Sequence, residues 1–166
     1  MNQPSNRPLA DLAQELTDTM APHGFRPVPE PASTIEGAAA LLKRQTWNTN
    51  RAIVVVSLPA VPQAFDAYLR RLRKQVAYRC KFLPILYGIG IQAVIAAPGL
   101  ASSGIDPAAH VAKIDNQWAI VQSVFLIDPE AQWFEAGKIW GQLVTGKFQN
   151  AILETLSRRF RSAPTR

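Results

Sequence analysis

The stretch Arg51-Ala52-Ile53-Val54-Val55-Val56-Ser57-Leu58 is apolar at odd and even positions alike from Ala52 to Val56. A strand with one wet face alternates polar and apolar residues, so a run without alternation has both faces covered and lies inside its sheet. Just upstream, Ala39 to Trp47 is a second strand-like run. Asn48, Thr49 and Asn50 between the two tolerate the positive φ that a three-residue hairpin loop needs. The pair reads as a hairpin whose second strand is internal.

Working outward, Leu9, Leu12, Leu16 and Met20 recur at helical spacing between Pro8 and Pro22, which predicts an amphipathic first helix. The four prolines between Pro22 and Pro31 forbid helix and predict an extended connector. Beyond the hairpin, Pro62 opens a helix with Phe65, Leu69, Leu72, Val76 and Cys80 on one stripe. At about 100° per residue, Arg70, Arg71, Lys74 and Lys81 fall on the opposite side. From Phe82 to Ile105 there are 24 residues without a formal charge, but Pro84, Gly88, Gly90, Gln92 and Pro98 break a membrane span. The dense part, Ile85 to Ala97, predicts one long buried strand, with a loop from Pro98 to Pro107. Gln117 to Ile127 and Gln132 to Trp140 flank Asp128-Pro129-Glu130-Ala131, which has type I turn chemistry and predicts a second hairpin. Phe148, Ile152, Leu156 and Phe160 recur every four residues after Gly141 and Gly146 and predict a closing helix.

The expected fold is α+β: a mainly antiparallel sheet of about five strands with three helices packed on it, in the order α-ββ-α-β-ββ-α. Two hairpins and one central crossover do not make a chain of βαβ units, so a parallel α/β architecture is not expected. The 166 residues suit a single domain over 1–166, with 1–6 and 162–166 as disordered ends.

Composition narrows the function classes. One cysteine and two histidines exclude an intramolecular disulfide framework and cannot supply the four side-chain ligands of a closed zinc site. The start MNQPSNRPLADLAQEL lacks a basic stretch followed by an apolar run and a cleavage site, so the expected address is the cytoplasm. Hydrophobic residues make up 48% and charged residues 18%, and this sparsity of charge predicts self-association as a two-fold homo-oligomer. The net charge is +6, and no acidic residue lies between Asp66 and Asp106, where six basic residues sit. Such a stripe suits nucleic acid, anionic lipid or an acidic protein surface, or serves only as a solvated helix face.

Catalytic constellations fit poorly. Cys80 completes a core stripe, where a thiol behaves as a small hydrophobe. His23 and His110 have no nucleophile or acidic orienter at recognisable spacing. Asp128, Glu130 and Glu135 followed by Lys138 invite comparison with metal-dependent nucleases, which resemble an Asp followed by Glu-x-Lys. Here Glu135 and Lys138 are three apart and point to opposite faces of a strand. Gly88-Ile89-Gly90 lacks the rest of a phosphate cradle and reads as a strand bend. The tryptophans at 47, 118, 133 and 140 read as sheet packing. A polar strand-end group remains: Asn48, Asn50 and Arg51 at one hairpin end, with Asp115, Asn116 and Gln117 before another strand. These line a small polar site if the strand ends meet.

The sequence therefore favours a small non-catalytic binding or regulatory module without a cofactor. One alternative is a metal-dependent nuclease or related hydrolase using Asp128 and Glu135. A second is polyanion binding through the basic helix 62–82, with Arg70, Arg71, Lys74 and Lys81 as the anion contacts.

Overall fold

In the computed structural model, which describes residues 7–81, 88–112, 119–138 and 142–162, the apolar run is a strand (β3, Asn50–Ser57) buried at every position but its last. Alternate side chains serve opposite cores. Ala52, Val54 and Val56 enter one with α2 (Phe65–Cys80), while Ile53 and Val55 enter the other with α1 (Arg7–Met20) and α4 (Gln142–Arg159). β4 (Ile89–Ala96), buried throughout, divides in the same way. The result is three layers, helices on both faces of one sheet, which is why no period-2 alternation survives in the central strands.

Among the described residues the sheet has seven strands in chain order. β1 (Arg26–Pro27), β2 (Ala38–Gln45) and β3 are antiparallel neighbours. β3, β4 and β5 (Ala119–Asp128) run parallel. β6 (Trp133–Lys138) returns antiparallel, and β7 (Arg161–Ser162) pairs parallel to it. The architecture is α+β as expected, but the sheet is mixed and seven-stranded rather than mainly antiparallel with about five strands. There are four α-helices among the described residues rather than three.

The physical reason is a second crossover. A parallel connection needs a dozen or more residues, and the segment between β4 and β5 supplies them with α3 (Pro107–Ala112), a helix the sequence did not indicate, beginning where the expected loop Pro98 to Pro107 ends. His110 sits on α3. Its Nδ1 lies 2.7 Å from Asp66 Oδ1, which ties α3 to the start of α2. At Gly137 on β6 a Cβ would come within 2.5 Å of the Ala108 backbone nitrogen, so the bare backbone lets α3 lie close to the strand.

Smaller differences have local causes. The first hairpin turns over 46–49, where Thr46 N donates to Thr49 O and none of residues 48–50 has positive φ. Trp47 leaves its strand for this turn and is 83% exposed. The proline connector contributes β1 at the sheet edge, where a proline costs no ladder bond. Gly146 lies within α4, and Ser162 belongs to β7 instead of a disordered end. The remaining residues of the expected disordered ends lie outside the described residues. The stripe Phe65, Leu69, Leu72, Val76 and Cys80 is buried as its spacing indicated. No helix among the described residues is long and apolar enough to cross a membrane.

Candidate functional site

Among the described residues consecutive strands follow one another across the sheet, so strand order does not reverse there as it does at the crevices that receive ligands beyond the C-terminal ends of parallel strands. The unusual chemistry lies toward the opposite, N-terminal ends, on the face covered by α4. Arg51 enters that face because it shares the parity of Ile53 and Val55. It is only 7% exposed. Its partner across the hairpin is Arg44, which points the same way.

Both guanidinium groups meet one ring. Arg51 Cζ lies 5.0 Å and Arg44 Cζ 5.3 Å from the Phe148 centroid, and Lys147 Nζ lies 5.0 Å from it. Phe25 and His23 close the ring edge-on, with centroids at 5.2 Å and 5.6 Å. Three cations thus surround one fully buried phenyl, Arg51 from the interior, Arg44 half-buried and Lys147 from the exposed side. Burial, and then the charge of Arg44, lower the Arg51 pKa. Arg51 Nε and Nη1 have no hydrogen-bond partner.

The neighbouring strands add polar groups to the same face. Gln92 is paired with Ile53 and Ser123. A register shift between Ile91 and Gln92 marks a bulge on β5, which puts Gln122 and Ser123 on one side in succession. Gly90 is there for Gln122: a Cβ at residue 90 would lie 2.5 Å from Gln122 Oε1 and 2.7 Å from its Cδ. α4 contributes Gln149, which is 1% exposed. Gln92 Oε1, Gln122 Oε1, Ser123 Oγ and Gln149 Nε2 are all buried without a partner. Native interiors pair nearly all such groups, and here four of the residues with unpaired ones belong to the sheet face that carries Arg51 or to the helix over it, while Tyr68 Oη and Arg79 Nε are unpaired on the α2 side.

Asp128 offers a contrast as the other buried charge among the described residues. Its oxygens accept from the backbone amides of Ala101, Glu130 and Ala131 at 3.1 Å each, so its carboxylate is occupied in holding the turn. Glu135, paired with Leu126, shares that face but is only half-buried. No group of three or more metal-binding side chains occurs among the described residues. Cys80 is buried and its thiol is pushed up to about 12 by burial, against a smaller lowering by Lys43.

Of the strand-end group, Arg51 and Asn50 are buried at the start of β3. Asn48 instead serves the turn, its side chain 3.1 Å from Thr46 Oγ1. Asp115, Asn116 and Gln117 lie outside the described residues. The basic stripe Arg70, Arg71, Lys74 and Lys81 is exposed. Arg71 also stands over the Tyr68 ring at 5.8 Å and lines, with Glu36 and Gln75, a cleft of about 110 Å³. Gln122, Ser123 and Gln149 were not singled out from sequence, and Gln92 and Phe148 were read there only as a break in an apolar stretch and as part of a helix stripe. The available signal was a glutamine inside the apolar stretch Ile89–Ala96. No protein-family model, curated protein or solved structure matches the chain.

Proposed function

We propose that the chain is a small non-catalytic binding module whose ligand is a compact oxyanion, held between the sheet and α4 on Arg51. The observation that carries this reading is the buried Arg51 guanidinium with Nε and Nη1 unpartnered. Burying an unpaired ion costs several kcal/mol even after relaxation. A cation–π contact returns about 0.5–2 kcal/mol, so the Phe148 ring offsets only part of that cost. An anion would offset the rest, through charge-assisted bonds to two free donors. The amides of Gln92, Gln122 and Gln149 each carry donor and acceptor ends, which suits a ligand with hydroxyl or protonated oxygens beside its charge. Self-association belongs to the same reading, and sedimentation as an 18.3 kDa monomer at high concentration would remove that part of it.

The test is thermal melting in inorganic phosphate against chloride at matched ionic strength. Phosphate at about 100 times its Kd would add roughly 2.7 kcal/mol, a rise of several degrees for a chain of this length. Arg51→Met should fold and melt no lower than the parent without phosphate, since it replaces a buried charge by an apolar chain of similar length. It should also lose the phosphate response. An equal rise in both proteins would reduce the effect to general salt stabilisation and end the proposal.

A further inference from the structure

The outer face of α2 carries a feature that the Arg51 locus does not use. Arg70, Lys74 and Tyr78 recur at i, i+4 and i+8, within an arc of about 80° and about 12 Å of helix, and Lys81 follows at the helix end. All four are exposed. Tyr78 is 73% exposed, although a tyrosine ring normally finds cover. The only acidic residue on this helix, Asp66, is engaged by His110 at the opposite end. Arg71 leans over the Tyr68 ring beside Glu36, and Arg79 donates to the carbonyls of Pro29 and Glu30. Both have contacts within the chain and Arg73 is half-buried, so the proposal is built on Arg70, Lys74 and Lys81.

A second exposed aromatic stands at the same end of the sheet. Lys43 Nζ donates to Cys80 O at 3.0 Å, fixing β2 against the end of α2. Trp47, 83% exposed, follows four residues further along the chain.

We propose that the outer face of α2 and the Trp47 hairpin tip bind single-stranded nucleic acid, with phosphates on Arg70, Lys74 and Lys81 and bases stacked on Tyr78 and Trp47. Exposed rings interleaved with cations match the two needs of an unpaired strand, a backbone to neutralise and π-faces to cover. A duplex keeps its base faces inside the stack and could use only the charges. A membrane asks for an apolar helix face, and the apolar face of α2 is already in the core.

The test is fluorescence anisotropy of a labelled oligothymidylate at low salt. Binding should weaken with a log-log slope of about −2 in salt for three phosphate contacts on a single strand. Lys74→Glu should abolish it, and Tyr78→Ala and Trp47→Ala should each weaken it about tenfold. All three variants should keep the parent melting temperature and its response to phosphate, which separates this surface from the Arg51 locus. Three results would overturn the proposal: no binding of the oligonucleotide, equal binding of a duplex with no loss in Tyr78→Ala, or binding of phosphatidylserine vesicles in preference to the oligonucleotide.

Discussion

Cys80 sits at the end of the α2 core stripe with no exposed surface. Its ordinary value of 9.0 rises to about 12 in the fold, so the thiol stays neutral where an unfolded chain would ionise. The corresponding stability is complete below pH 9 and is lost as the pH climbs from 9 toward 12. Tyr68 is raised by burial and adds to the same alkaline loss. Chemical denaturation across that range should show a falling unfolding free energy, with a shallower fall in Cys80→Ala. Native Cys80 should react slowly with a thiol reagent at pH 8 and fast in denaturant; fast native labelling would contradict its burial. Asp128 predicts a different outcome. Removing it in Asp128→Ala orphans three amides, with an expected cost on the order of 2–4 kcal/mol in urea unfolding. A change below about 0.5 kcal/mol would mean the turn holds itself.

At the scale of elements, the strongly periodic segments were legible. The stripe of α2 is visible because apolar residues at helical spacing have no other use in a chain with so many cations on the intervening positions. The non-alternating β3 is visible because only double-sided burial tolerates it. Parallel pairing was not legible, although β3 and β4 both carried its mark. Direction depends on whether the chain crosses back between strands, and the returning α3 is only six residues long, too short for a periodic signal. The Gln122 bulge was equally hidden. A one-residue shift in register reverses which face a side chain meets, so sequence parity could not place Gln122 and Ser123 together or find Arg51's neighbours. The close approach of α3 to β6 gives this level its own test. Gly137→Ala would push a methyl into the Pro107–Ala108 backbone, and overpacking of that kind costs about 1–3 kcal/mol. Unchanged stability in thermal and urea unfolding would show that α3 is free to shift.

For the molecule as a whole, the two helical layers are fastened differently. α2 is held by a continuous apolar stripe and by Lys43 at its end. α4 is anchored toward its C-terminus, where Arg159 Nε lies 2.6 Å and Arg158 Nη2 3.7 Å from the Glu15 carboxylate on α1. Nearer its start it lays Phe148 and Gln149 over the unpaired polar groups of the sheet. Fastening at one end and poorly satisfied packing at the other make local opening uneven along a single helix. Amide hydrogen exchange should therefore be graded along α4, with protection rising from residue 147 toward residue 158. Entry to the Arg51 locus would share the rate of that opening, so a bound oxyanion should slow exchange at 147–152 more than at the Glu15 end. Uniform protection along α4 would mean that the helix moves as one piece, and that passage into the interior has to be sought at the strand ends.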